Sequence, residues 1–257
     1  MENTFIKLGT SHWPAEEHRL TVSNLHVHYG NICALADVNF SISCGHCVGL
    51  LGPNGAGKST LVKSIAGLIP SMKGSLSWRG QSLSKVRQEI AYLPQTNTTD
   101  LKFPLTVGGL VELGRYPHLG ALGAWSDHDS EMVEAALQTL GISNLRDRRL
   151  YQLSGGQKQR AEIARALAQE AHILLLDEPF AGLDDPSQRS LASLLKELSS
   201  QGRLIMVCHH DFKMVPELFD HVLLLNRKLI RFGPVEDTFT QELIRQAYEE
   251  PAPKVHV

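Results

Sequence analysis

The stretch Val48-Gly49-Leu50-Leu51, Gly52-Pro53-Asn54-Gly55-Ala56-Gly57-Lys58-Ser59-Thr60, and the helical pattern from Lys58 to Leu68 decides the fold of this chain. A short apolar strand runs straight into G-x-x-x-x-G-K-[ST], and a helix begins at its lysine. Glycines let such a loop curl, so that successive backbone N–H groups point inward at phosphate oxygens. The following helix adds its own free N–H groups and the positive end of its dipole. In this pattern Lys58 reaches the β- and γ-phosphates as a point charge, and Ser59 offers a hydroxyl to Mg²⁺. The loop predicts binding of a nucleoside triphosphate.

A phosphate loop needs a partner carboxylate from a neighbouring strand. Ile173-Leu-Leu-Leu-Asp177-Glu178 supplies it, as an apolar run of the parallel-sheet kind ending in two acids. Asp177 is placed to hold Mg²⁺ through water. Glu178, one residue further on, is the candidate general base for the attacking water.

Outward from these motifs, Leu20 to Val27 and Val38 to Ile42 alternate as half-buried strands of an antiparallel hairpin region. Short strands follow at Gly74 to Gly80 and Ile90 to Leu93. Thr96 to Gly123 reads as a long surface segment. Glu131 to Leu140 and Ile163 to Leu167 carry a helical period, so the insertion between the two motif strands is mostly helical. Asp185-Pro186 reads as an N-cap followed by proline at the first helical position. Leu204 to Cys208 and His221 to Leu225 are further strands, and Glu242 to Tyr248 is a terminal helix. Strands alternating with helices predict an α/β fold with a largely parallel sheet.

Composition bounds the function. The chain has 257 residues, 25 basic against 27 acidic, for a formal net charge of -2. That balance disfavours a duplex-binding role, so no nucleic-acid partner is expected. No apolar run approaches the ~18 residues of a membrane span, and Met1 to Arg19 lacks the pattern of a secretory signal. A membrane role is then expected to come through a partner. Cys44-Gly45-His46-Cys47 has the spacing of a redox pair or half a zinc site, but a strand follows it and no second ligand pair stands elsewhere. The plainer reading is a turn at Gly45 between two strands.

The discriminating motif is Leu153-Ser154-Gly155-Gly156-Gln157. Ser154 and Gln157 have capping-box spacing before a helix, which makes a second anion site in one chain. One triphosphate does not need two such sites on one subunit, so the second is expected to serve a nucleotide on another subunit. Here the sequence resembles the ATP-binding-cassette (ABC) ATPases, from about Leu20 to Tyr248. Tyr29, the phosphate loop, Gln95, the Leu153–Gln157 signature, Asp177-Glu178, Asp184 and His210 stand in the family's order.

That resemblance implies a P-loop NTPase cassette. A RecA-like parallel-sheet core (20–95 and 172–236) would carry an N-terminal antiparallel β subdomain. An inserted helical subdomain (96–171) would hold the signature. A mobile N-terminal tail (1–19) and a C-terminal helix and tail (237–257) would flank them. It also implies roles. Tyr29 stacks on adenine, although a mere strand-end tyrosine fits the local sequence too. Gly52, Pro53, Asn54, Gly55, Ala56, Gly57, Lys58, Ser59 and Thr60 bind ATP. Gln95 touches Mg²⁺ and the attacking water. His210 contacts the γ-phosphate, while His209 would point the other way. Ser154, Gly155, Gly156, Gln157 and Asp184 meet the nucleotide of a second copy. The segment Ala181-Gly182-Leu183-Asp184 lacks the serine with which it begins in many members, which puts one contact between subunits in doubt.

The resemblance further implies a homodimer closing over ATP, integral-membrane permease subunits, and a substrate-binding protein acting with them at the cytoplasmic face of the membrane. Part of Phe103-Pro-Leu-Thr-Val107 and Gly114-Arg-Tyr-Pro-His-Leu-Gly120 would line the groove that receives the permease. His209-His210-Asp211-Phe212, Phe219 to Lys228, Phe232-Gly233-Pro234 and Glu178-Pro-Phe-Ala-Gly182 look like the manganese, zinc or iron importer subfamily. A siderophore, haem, vitamin or other cargo stays open, as does the more remote reading of a non-transport ATPase acting on nucleic acid or ribosomes.

Overall fold

The computed structural model describes residues 18–70, 72–95, 104–119 and 123–249. The tail expected at 1–19 lies outside the described residues up to 17, as do 96–103, 120–122 and everything from 250 on. His18, the first described residue, has a buried ring that meets Trp78 edge-on at 5.5 Å.

The strand Cys47–Leu51 is buried along its whole length, and its alternation divides it between two cores. Cys47 and Leu51 join one apolar cluster, Val48 and Leu50 the other, as a side-chain period of two requires. Ile173–Asp177, Leu204–Cys208 and His221–Asn226 are divided in the same way. Apolar residues on both faces mark a parallel sheet covered on both sides.

The strands in chain order are β1 (Arg19–Tyr29), β2 (Ile32–Ser43), β3 (Cys47–Leu51), β4 (Met72–Trp78), β5 (Gln81–Ser82), β6 (Ile90–Leu93), β7 (Ile173–Asp177), β8 (Leu204–Cys208), β9 (His221–Asn226) and β10 (Lys228–Pro234). The helices are α1 (Lys58–Ile65), α2 (Val107–Glu112), α3 (Tyr116–Leu119), α4 (Asp127–Thr139), α5 (Gly155–Ala168), α6 (Asp185–Ser200), α7 (Val215–Leu218), α8 (Val235–Thr238) and α9 (Gln241–Glu249). An antiparallel sheet has the order β2-β1-β4-β5, and a mixed sheet the order β10-β9-β3-β8-β7-β6. In the mixed sheet only β10 runs against its neighbour. It ends in Gly233-Pro234 at the edge, where a missing N–H is tolerated.

Three sequence expectations are corrected. The carboxylate strand is not next to the loop's strand, because β8 lies between β3 and β7. Helix α1 spans that gap, carrying Ser59 to within 3.1 Å of Asp177. Second, the segment 96–123 is not only surface loop. Thr106 caps α2 by accepting from the Gly109 N–H, and Val107 and Val111 are fully buried. Gly108 and Gly109 weaken the helical signal in the sequence. Just beyond, a Cβ on Gly114 would stand 2.2 Å from the Arg165 carbonyl, so glycine lets α5 approach closely. Third, the N-cap of α6 is Asp184, with Pro186 at the second helical position. Proline fits either register, since the N–H groups of the first turn have no helical partner. The Ser187 N–H, which donates to Asp184 Oδ1 at 2.9 Å, selects the earlier one.

Cys44 and Cys47 flank the turn at Gly45 as buried free thiols. Burial pushes both above the ordinary thiol range, the opposite of a redox-active pair.

The helical part is tied together by Arg115, which is almost wholly buried. Its guanidinium donates to Asp129 at 2.8 Å, to Glu170 at 2.7 Å and to the Ala168 carbonyl at 2.6 Å. The site thus joins α4 to the C-terminal end of α5. Hydrogen bonds from Ser126 and Arg115 hold the Asp129 carboxyl well below the usual range. Arg115→Met leaves the buried Asp129 with Ser126 but without its cation, and stability is expected to fall by up to about 3–5 kcal/mol in urea unfolding. Asp129 has a depressed folded pKa, so its contribution is present at neutral pH. It is expected to be lost as pH falls below about 4, the unfolded value. The variant should therefore show a shallower acid dependence than the parent in the same titration.

Candidate active site

The ends of three strands meet at the carboxyl edge of the parallel sheet. The phosphate loop follows β3, Asp177 and Glu178 close β7, and His209 and His210 follow β8. A doubly covered parallel sheet places ligands at this edge.

The loop is held from several sides. A Cβ on Gly52 would meet the Leu225 carbonyl at 2.0 Å, so only glycine fits the corner. Lys58 Nζ donates to the carbonyls of Gly52 at 2.7 Å and Pro53 at 3.0 Å. Burial lowers the Lys58 pKa against the pull of the Glu178 and Asp177 carboxylates. Gly57 is the N-cap of α1 and provides no side-chain cap. The first N–H groups of the helix therefore stay available to an anion.

Ser59 Oγ donates to Asp177 Oδ1 at 3.1 Å, and Tyr92 OH reaches Asp177 Oδ2 at 3.4 Å. Burial first, then the charge of Asp177, raises the Tyr92 phenol and keeps it a donor. The hydroxyl and carboxylate together are hard oxygen donors of the kind Mg²⁺ takes. Glu178 has φ of 54°, the left-handed region, at a turn out of β7. Such a conformation costs a non-glycine residue about 1–2 kcal/mol, and strain of this sort gathers at functional sites. The turn brings Glu178 Oε2 to Gln95 Nε2, which donates at 2.9 Å. The other carboxylate oxygen lies 3.7 Å from His210 Nδ1.

The two histidines differ sharply. His210 is exposed beside Glu178, whereas His209 is 4 % exposed between Phe180 and Phe219. Burial, and then the neighbouring His210, push the His209 pKa down to about 4, so it is neutral at physiological pH.

Two grooves result. One, of about 400 Å³, is lined by Tyr29, Ile32, Asn54, Lys58, Ser59, Glu178 and Arg227, among others. The second, of about 270 Å³, is lined by Ser154, Gly156, Gln157, Arg160, Leu183 and Ser187, among others. Ser154 and Gln157 form the expected capping box, the Gln157 N–H donating to Ser154 Oγ at 3.3 Å and the Ser154 N–H to Gln157 Oε1 at 3.1 Å. The structure thus gathers Tyr29, the loop residues 54–60 and Glu178 at one groove, with Gln95, Asp177 and His210 joined to it through side-chain contacts. Of the signature residues, Ser154, Gly156 and Gln157 line the other groove, and Asp184 caps the helix beside it.

Arg227, Ile32 and Tyr92 went unread in the sequence. Arg227 sits in the turn between β9 and β10, where its N–H donates to Ala56 and its carbonyl accepts from Ala36, both at 2.8 Å. No local motif marks it. Tyr92 could have been found from the pairing of β6 with β7, which sets Tyr92 opposite Leu175, two residues before Asp177.

The ABC transporter family model matches residues 35–181. The chain is 44 % identical over 229 residues to the manganese transport system ATP-binding protein MntB of Listeria innocua, covering 89 % of this chain and 95 % of the relative. It is 39 % identical over 234 residues to the zinc transport system ATP-binding protein TroB of Treponema pallidum, covering 91 % and 88 %. A solved inward-facing transporter described as of the metal-chelate type superposes with a TM-score of 0.79 at 31 % identity, covering 90 % of this chain and 88 % of the other. The ADP-bound cassette MJ1267, at 23 % identity and a TM-score of 0.78, shares the fold.

Gly52→Ala must displace the loop corner or β9. We expect it to lower stability by about 1–3 kcal/mol and to weaken binding of a fluescent ATP analogue by at least about tenfold, the equivalent of 1.4 kcal/mol. Urea unfolding and equilibrium fluorescence titration measure the two effects separately.

Proposed function

The chain belongs to the ATP-binding cassette (ABC) transporter family, and from that premise we propose that it energises uptake of manganese, zinc or iron through separate membrane permease subunits. It is an ATP-binding protein and an ATPase. The observation that carries the reading of the reaction is the meeting of Ser59, Asp177, Glu178, Gln95 and His210 at one sheet edge, within reach of the phosphate loop. The cargo reading rests on relatives named for manganese and zinc transport over nearly their whole length.

The proposed reaction is in-line hydrolysis. The loop N–H groups, Lys58 and the start of α1 hold the phosphates of ATP. Tyr29 stacks on the adenine. Glu178 accepts the proton of a water as its oxygen bonds to the γ-phosphorus and the bond to the β-phosphate oxygen breaks, leaving ADP. Gln95 fixes the carboxylate for that task through its 2.9 Å hydrogen bond. His210, beside the other carboxylate oxygen, contacts the γ-phosphate. Ser59 and Asp177, with Gln95 nearby, would hold Mg²⁺, which when bound neutralises charge on the phosphate oxygens.

We further propose that two copies close head to tail, each signature groove meeting the nucleotide on the other copy's phosphate loop. The division stays as read from the sequence: core 20–95 and 172–236, helical part 96–171, and C-terminal part 237–257. No described helix is long and apolar enough to cross a membrane. We place the chain at the cytoplasmic face, on a permease served by a substrate-binding protein. Just before and within the Gly114 segment proposed to meet the permease, Leu113 and Tyr116 are 41 % and 62 % exposed, while Arg115 is buried in its ion-pair cluster. The exposed pair, not the arginine, is available to a partner.

Glu178→Gln keeps shape and hydrogen bonding but removes the base. It is expected to bind ATP and to lower kcat by about 10²–10⁴-fold, the contribution of general base catalysis. Turnover equal to wild type would refute the assignment. For the cargo, cellular Mn, Zn and Fe under metal limitation are compared between wild type and Lys58→Ala by elemental mass spectrometry. A selective fall in one metal names the cargo. No change in any metal with the permease expressed rejects a metal cargo.

A further inference from the structure

Helix α9 lies outside every motif, yet one of its side chains touches two catalytic segments. The ladder between β3 and β9 ends at Leu51 opposite Leu224, so the buried Gly52 N–H falls beyond the sheet. Tyr248 supplies its acceptor, the phenol oxygen receiving that N–H at 2.9 Å. The Gly52 carbonyl receives Lys58 Nζ at 2.7 Å. Gly52 is therefore gripped at both polar atoms, by Tyr248 on one side and the phosphate-binding lysine on the other. The Tyr248 ring also meets Phe212 edge-on, with centroids 5.2 Å apart at 87°. Phe212 stands two residues after His210 and packs against Phe239 at 5.7 Å. Asp211 fixes that segment by accepting from the Lys213 N–H at 2.9 Å. The helix itself is anchored where Asn226, at the end of β9, donates to the Ala247 carbonyl at 3.1 Å.

We propose that Tyr248 is a positioning residue for ATP hydrolysis: its hydroxyl sets the corner of the phosphate loop, and its ring seats the segment that carries His210. Two separable functions on one side chain follow. The hydroxyl acts on the loop and hence on nucleotide binding. The ring acts on Phe212 and hence on the orientation of His210. A buried N–H that loses its acceptor is costly to leave unmade, so the loop corner shifts when only the hydroxyl is removed. The proposal rests on the ATPase reading of this site for its kinetic arm, but not for its structural one.

The test compares the full chain with Tyr248→Phe and Tyr248→Leu. Tyr248→Phe is expected to raise the ATP KM by about three- to tenfold, roughly 0.7–1.4 kcal/mol, with kcat within about twofold of wild type. It should also quicken amide hydrogen exchange in the peptide spanning residues 50–57. Tyr248→Leu should add a fall in kcat, because Phe212 loses its neighbour. Wild-type KM and wild-type exchange in Tyr248→Phe would overturn the proposal. So would equal losses in both variants that track melting temperature alone, the mark of a merely structural tyrosine. If Tyr248→Leu does not fold, the KM-against-kcat split in Tyr248→Phe decides. Absence of hydrolysis in the wild type would sink the ATPase reading, and the exchange measurement would still decide whether Tyr248 holds the loop.

Discussion

The whole arrangement depends on burying one parallel sheet on both faces. Because β3, β7, β8 and β9 each give alternate residues to two cores, no register slip is tolerated: a shift by one would exchange the two apolar sets. The fixed register has a chemical consequence. Parallel strands end at one edge, so the segments after Leu51, Asp177 and Cys208 arrive together though they are far apart in sequence. Asp177 pairs directly with Cys208, and the Glu178 N–H donates to the Cys208 carbonyl at 3.2 Å. The site is thus a product of sheet register before it is a product of any one motif.

At that edge the structure accepts local costs that a purely structural protein would avoid. Glu178 stands in the left-handed region, and Lys58 is buried enough to lower its pKa. His209 forgoes charge to fill the wall between Phe180 and Phe219. The two histidines show why neighbours in sequence can differ in kind. One is part of the packing that fixes β8, and the other is carried past the sheet edge to Glu178.

Much of this was legible because the relevant signals are local. The phosphate loop lies wholly between a strand and a helix, and the Ser154 capping box uses residues three apart. The apolar run Ile173–Leu176 announces a strand buried on both faces. What stayed hidden depends on distant pairing. Strand order is not written in any one segment, so the place of β8 between β3 and β7 could not be read from the run before Asp177. Helix α2 was obscured because Gly108 and Gly109 serve packing rather than propensity. Arg227 joined the groove through a hairpin turn whose backbone is tied to Ala36 and Ala56. Tyr248 reaches Gly52 across 196 positions, a contact that no spacing rule could have suggested.

Among the described residues the two grooves share no lining residue. Each has features of an anion site, one with a lysine and a helix N-terminus, the other with a capped helix beginning in two glycines. In the signature, Ser154 and Gln157 are already bonded to each other's backbone. That cap orients the start of α5 without using up the next N–H groups, which a phosphate can take. With Glu178 as the proposed base, the signature groove has no base of its own among the described residues that line it. The proposed second copy, turned head to tail, would bring a base-bearing groove against it, which is why we read the signature groove as half of a shared site. The free energy of closing such a pair then depends on the γ-phosphate between the two surfaces. In the proposed pair, hydrolysis at Glu178 would remove that link and with it the reason for the two copies to stay closed.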